Sequence, residues 1–211
     1  MTIAFLFTGF ALAGTNHADR LFNQWKYYKA AELYQKAAKK KATQDVYYKL
    51  GQCYQKMHKY TDAVWAYKKV DSMGHYNKAS FYLNYGLVLK ANERYHTAKK
   101  AFATYSKMLP NDNRGDFYFN SCDTVIKDIP TNLPIRVSEV SSLNSNASDL
   151  CPVLYKKGIV FVSSRQAAKH GTKKYDWDNE YYLDIFCAKK GKNDTTFANV
   201  APIDSSLING K

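Results

Sequence analysis

Four residue classes recur three times at nearly fixed offsets between residues 18 and 102, and this register limits the fold more than anything else in the chain. Aligned on Ala30, Ala63 and Ala98, each copy has a Tyr three residues earlier: Tyr27, Tyr60 and Tyr95. An aromatic follows four residues later, at Tyr34, Tyr67 and Phe102. A small residue stands twelve before, at Ala18, Gly51 and Gly86, and Leu21, Tyr54 or Leu89 stands nine before. The copies are spaced by 33 and 35 residues. An ordinary bundle needs apolar periodicity, but not the same classes at matching offsets three times over.

A unit of about 34 residues with this pattern resembles the tetratricopeptide helix-turn-helix repeat. The pattern has a physical reason. The small residue and the Ala are expected where two helices cross closely. The aromatic lies one helical turn beyond the Ala, on the same face, and is expected to fill the groove against the next repeat. Pro110 is expected to stop the third repeat, since proline cannot continue a helix. Residues 116–128 (DFYFNSCDTVIKD) suit a capping helix, with Phe117, Phe119, Val125 and Ile126 inward and Asp116, Asp123 and Lys127 in water. The resulting fold class is α+β in separate domains: an α-α superhelical array of three repeats plus a capping helix, followed by β-structure.

In such an array the first helix of each repeat lines the concave face. By register, Phe22, Tyr48, Gln52 and Gln55 are expected to point into that groove, as are Lys56, Leu83, Leu87 and Lys90. The lining is mixed apolar and polar, suited to an extended or helical segment of a partner protein. Some tetratricopeptide proteins clamp a C-terminal carboxylate with a Lys/Asn/Arg set. Here Asp19 and Gln52 occupy places where that set needs Asn.

Residues 1–13 are read as a secretory signal. The run is apolar from Ile3 to Ala13 and ends in Ala11-Leu12-Ala13, an A-x-A type cleavage site, although no Lys or Arg precedes it. It is too short to span a bilayer, which takes about 20 apolar residues. No Cys follows, so a lipoprotein anchor is not expected. The chain is therefore expected to be exported to the periplasm or outer membrane.

The repeats occupy residues 16–128. Residues 129–148 are rich in Pro, Ser and Asn without helical period and read as a linker. Residues 149–211 have a β pattern: strands at Pro152–Tyr155, Ile159–Ser163 and Tyr181–Ala188, a turn at Lys156-Lys157-Gly158, and a polar loop from Arg165 to Glu180. The order of repeat array, linker, GIVFVSSR and LDIF resembles OmpA-family outer-membrane proteins of gliding and type IX-secreting bacteria. The matching residues are Asn144, Ser145, Ser148, Asp149, Pro152 and Val153, then Phe161, Ser163, Ser164 and Arg165, then Leu183, Asp184 and Ile185, with Cys122 in the capping segment. The resemblance implies a WD-like β-propeller after the repeats, of which residues 149–211 supply one blade, and the final LINGK looks like the opening of a second. It also implies an OmpA-type peptidoglycan-binding domain. That domain is absent from these 211 residues, so outer-membrane or wall association is expected only through sequence beyond Lys211.

Nothing in the sequence encodes catalysis. Cys53, Cys122, Cys151 and Cys187 include no closely spaced pair that would mark a zinc knuckle. Cys53 and Cys122 read as buried thiols, and Cys151 and Cys187 share the blade, where they either pair or stay free. His17, His58, His75, His96 and His170 fall in no metal-binding pattern. There is no Walker loop, G-x-G-x-x-G or G-x-S-x-G. Asp176, Asp178 and Glu180 alternate as in a calcium loop but lack its central Gly and distal Glu. No enzyme activity, cofactor or metal is expected.

Charge supplies the rival reading. The chain carries a net +13, and up to Lys127 there are 20 Lys+Arg against 9 Asp+Glu, a net of +11. A basic, Tyr-rich helical array suits nucleic acid, with Lys39-Lys40-Lys41, Lys68-Lys69 and Lys99-Lys100 as contacts. These clusters fall near the ends of second helices, where cations complement the helix dipole without any ligand. Most of the Tyr residues occupy repeat positions, and export removes nucleic acid from reach. Anionic envelope lipid or polysaccharide is a further partner for the basic face. The favoured expectation is a non-catalytic scaffold that docks an envelope protein.

Overall fold

The computed structural model describes residues 9–128, 137–166, 173–192 and 196–203. The chain divides into two compact units, residues 1–132 and 133–211.

The first unit is a run of seven helices. They are α1 (Gly9–Asn23), α2 (Tyr27–Lys40), α3 (Gln44–Lys56), α4 (Tyr60–Ser72), α5 (Ala79–Ala91), α6 (Tyr95–Met108) and α7 (Arg114–Asp128). The repeat Tyr residues found by alignment are the first residues of α2, α4 and α6. Each helix packs on the next, while α3 also touches α5 and α5 touches α7. The first helices of successive pairs therefore lie side by side. α6 ends two residues before Pro110.

Ala30, Ala63 and Ala98 are wholly buried, as are Tyr67 and Phe102, and Tyr34 is nearly so. The aromatic lies over its own repeat's small residue. A Cβ added at Gly51 would stand 2.3 Å from the Tyr67 ring, and one at Gly86 would stand 2.4 Å from the Phe102 ring. The small residue is thus required by a ring laid across the helix, rather than by helix–helix approach alone.

Each pair turns through the same backbone device. Trp25, His58 and Glu93, spaced like the repeats themselves, have φ of 62°, 57° and 59°. The left-handed conformation costs a non-glycine residue about 1–2 kcal/mol. Glu93 is exposed, so Glu93→Gly is expected to raise the unfolding free energy by up to about 1 kcal/mol in a urea titration. An unchanged or lower value would mean that Glu93 makes a compensating contact.

The capping helix corrects one expectation. Phe117 is 66% exposed, not inward. The inner face of α7 is made by Gly115, Tyr118 and Cys122 instead. Tyr118 stacks on Phe102 at 5.5 Å, Cys122 is wholly buried, and a Cβ at Gly115 would meet Ser106 Oγ at 2.2 Å. Gly115 therefore allows α7 to approach α6 closely on this face. Lys99 ties the cap down by pairing with Asp123 at 2.6 Å and lying 4.3 Å from the Phe119 ring centre. Val125, Ile126 and Lys127 lie outside the residues whose side chains are described.

The second unit is a four-stranded antiparallel sheet in the order β1-β2-β3-β4: β1 (Asp149–Tyr155), β2 (Gly158–Ser163), β3 (Asp184–Lys190) and β4 (Phe197–Pro202). Strict alternation along β2 and β3 buries Ile159, Phe161, Phe186 and Ala188 on one face, with Leu143, Phe197 and Val200 packed against them. β1 is longer than expected because it passes Pro152 through a bulge between Leu150 and Val153. An edge strand with a bulge tolerates proline. The third strand begins at Asp184 rather than Tyr181, since Tyr181 instead forms an isolated bridge with Lys174. The final LINGK and the residues 129–136 of the linker lie outside the described residues.

Candidate peptide-docking site

The expected groove residues divide into two groups. Tyr48 and Leu83 are only 5% and 8% exposed. Tyr48 packs against Tyr67, Tyr76 and Phe81, and its hydroxyl donates to Ser80 Oγ at 2.9 Å. Tyr48 thus belongs to the packing between the second and third repeats, and Leu83 is buried on α5. Gln55 accepts a hydrogen bond from the Tyr67 hydroxyl at 2.8 Å. Lys90 donates to Ser121 Oγ at 2.6 Å and lies over the Tyr118 ring, which commits it to the cap. Phe22 meets Tyr27 edge-on and carries Lys49 over its face. Gln52 and Leu87 are partly exposed and Lys56 is exposed. These three keep surface for a ligand.

A groove of about 630 Å³ lies elsewhere in the helical unit, among α1, α2, the α2–α3 turn and the start of α3. None of the eight expected residues lines it. Its apolar floor is formed by Leu33, Ala37 and Val46, and its walls carry Lys36, Lys40, Lys41, Lys49 and Lys78 with Asp19 and Asp45. Thr43 caps α3, accepting from the Val46 amide at 3.3 Å, and so fixes the turn at the groove's edge.

Both carboxylates are held by the protein itself. Asp19 accepts from the Tyr34 hydroxyl at 2.5 Å and pairs with Lys49 at 3.4 Å. Asp45 accepts from Lys78 at 2.5 Å and from the Tyr76 hydroxyl. Hydrogen bonds from Lys78 and Tyr76 hold the Asp45 carboxyl below the usual carboxylate range. Burial, followed by the Asp45 hydrogen bond, pushes the Tyr76 hydroxyl up to about 12. Among the described residues no ion pair or side-chain hydrogen bond engages Lys36, Lys40 or Lys41, and all three are exposed. The sequence had marked Lys40 and Lys41 as one end of a basic cluster. Lys49, Lys78 and the two aspartates carried no local signal, because they join the groove from three different elements.

Among the described residues no group of three or more His, Cys, Asp or Glu side chains converges as a metal site requires. No described helix is long and apolar enough to cross a membrane. All four cysteines are free, with Cys53 and Cys122 buried. Burial pushes both thiols up, away from the reactive thiolate form. Cys151 and Cys187 stand on β1 and β3 with β2 between them, so they do not pair. Glu180 is not a free loop carboxylate: it accepts from the hydroxyls of Ser148 and Ser164 at 2.9 and 2.5 Å.

Stacked helix pairs, two of them closed by a ring over a glycine, give the helical unit a tetratricopeptide-type fold, and the solved structures similar to it include tetratricopeptide domains. The first tetratricopeptide domain of Spaghetti (RPAP3), bound to the HSP90 peptide SRMEEVD, matches 55% of this chain and 92% of its own at 17% identity and a TM-score of 0.51. YrrB, a tetratricopeptide protein with an unusual peptide-binding site, matches 56% of this chain at 23% identity and a TM-score of 0.52, with 60% of YrrB covered. The type III secretion chaperone SycD of Yersinia enterocolitica, in complex with a peptide of the translocator YopD, matches 59% of this chain and all of its own at 14% identity and a TM-score of 0.51. At these identities the likeness is one of fold. No family model and no curated protein matches the sequence.

Proposed function

We propose that the chain is a non-catalytic scaffold of the cell envelope whose helical repeats dock a segment of a partner protein. The observation that carries this reading is an open groove with an apolar floor and charged walls on a repeat array, which is the form of a peptide-recognition site. Peptides bound to structures of similar fold support it, as with the HSP90 peptide on Spaghetti and the YopD peptide on SycD. Export rests on the apolar run and the Ala11-Leu12-Ala13 site. The order β1-β2-β3-β4 supports reading the second unit as a propeller blade of an OmpA-family outer-membrane protein.

Capture on the full chain from a nuclease-treated envelope extract tests the docking. A discrete set of proteins is expected, reduced in the double variant Gln52→Ala/Leu87→Ala or in a charge reversal of the groove lysines. Capture abolished by the nuclease would make charge toward nucleic acid the working feature and overturn the reading. Export is tested by N-terminal sequencing of the protein in the producing cell's envelope fraction. A start just after Ala13 is expected; an intact Met1 in the cytoplasm would remove the envelope assignment.

A further inference from the structure

The groove carries five lysines and two aspartates, a net of +3, and the two aspartates are already held by Lys49, Lys78 and two tyrosine hydroxyls. What remains on the wall is Lys36, Lys40 and Lys41. Lys36 and Lys40 are four residues apart on α2, one above the other on the same face. Like charges at that spacing destabilise an isolated helix. The helix dipole compensates cations in the last turn, which accounts for Lys40 but not for Lys36, one turn earlier. An anion placed between them and Lys41 relieves the repulsion.

We propose that this groove docks an acidic segment of a partner protein that bears at least one apolar side chain. The proposal rests on the peptide-docking reading and specifies the chemistry of the ligand. Charge complementarity selects carboxylates for the lysine wall. The floor of Leu33, Ala37 and Val46 selects against a bare polyanion, which would leave apolar surface uncovered.

The test is selection from a random short-peptide library displayed on phage, with the full chain as the target, followed by titration of the selected sequences as amidated synthetic peptides. The expected peptides are rich in Asp and Glu around Leu, Ile or Phe. Their affinity is expected to fall about tenfold or more in Lys36→Glu/Lys40→Glu/Lys41→Glu, and to fall with added salt. Circular dichroism checks the fold of the variant, and the Lys→Gln triple replaces it if helicity is lost. Selection of neutral or basic peptides that ignore the lysines but are lost in Gln52→Ala/Leu87→Ala would leave the docking reading standing and overturn the acidic groove. Failure to select any peptide would overturn the docking reading, and this proposal with it. Binding of polyglutamate or duplex DNA as tight as the best selected peptide would make the groove a general polyanion patch and also overturn it.

Discussion

Gly86→Val is expected to cost the helical unit about 3 kcal/mol, the upper part of the range for forcing extra atoms into a packed core. Val and Gly differ little in helix propensity compared with this figure, so the loss measures contact with Phe102. A Cβ at residue 86 would lie 2.4 and 2.7 Å from atoms of that ring, which is wholly buried and stacked on Tyr118. The ring has no free direction in which to move. A denaturant titration of the single and double variants reads the coupling. In a Phe102→Leu background, where the obstructing ring is gone, Gly86→Val is expected to cost less than half as much. Equal costs in the two backgrounds would show that helix backbones, not the ring, set the requirement for glycine.

In the second unit the largest effect is expected from Arg165→Ala. The Arg165 guanidinium donates to Asp149 Oδ1 at 2.6 Å and to the Leu143 carbonyl at 2.5 Å. It also lies 5.0 and 5.3 Å from the ring centres of Phe161 and Phe186, so it roofs the small core. Asp149 is 18% exposed and Arg165 19%. Removing one partner of a mostly buried pair costs about 3–5 kcal/mol, because the remaining charge is left uncompensated. A four-stranded unit with few core residues has little stability to spare. Amide hydrogen exchange is expected to show β2 and β3 losing protection while α3 to α6 keep theirs. Loss in both units at once would mean that they fold as one.

The same pair sets an acid limit. Burial opposes ionisation of Asp149, but hydrogen bonds from Ser163, Arg165 and Ser145 outweigh it and hold the carboxyl at about 2. A carboxyl depressed in the folded state stabilises it above the unfolded value, near 3.9, and loses that contribution as pH falls toward 2. The sheet is therefore expected to weaken between about pH 4 and pH 2, and Asp149→Asn to flatten that dependence.

The repeats were legible because their constraint is local and recurs. A ring, an alanine and a small residue within one helix pair must meet, so their spacing survives in the sequence. β2 was legible for a similar reason, since its alternation is its burial pattern. The groove was not. Lys78 pairs with Asp45 from 33 residues away and Lys49 with Asp19 from 30 residues away, and no periodicity links them. The register rule placed Tyr48 and Leu83 on the open face from their repeat positions alone. It does not say that aromatic packing against Tyr67, Tyr76 and Phe81 covers the first of them. For the cap, the apolar residues Phe117 and Phe119 did not reveal that Gly115, Tyr118 and Cys122 make the inner face of α7.

Helices that touch mainly their chain neighbours form a stack whose members are held from both sides in the middle and less completely toward an end. The groove draws on α1, α2, the start of α3 and Lys78 ahead of α5, so a segment seated in it would touch parts of three helix pairs. Capture of a partner would then tie together elements that otherwise meet mainly their chain neighbours.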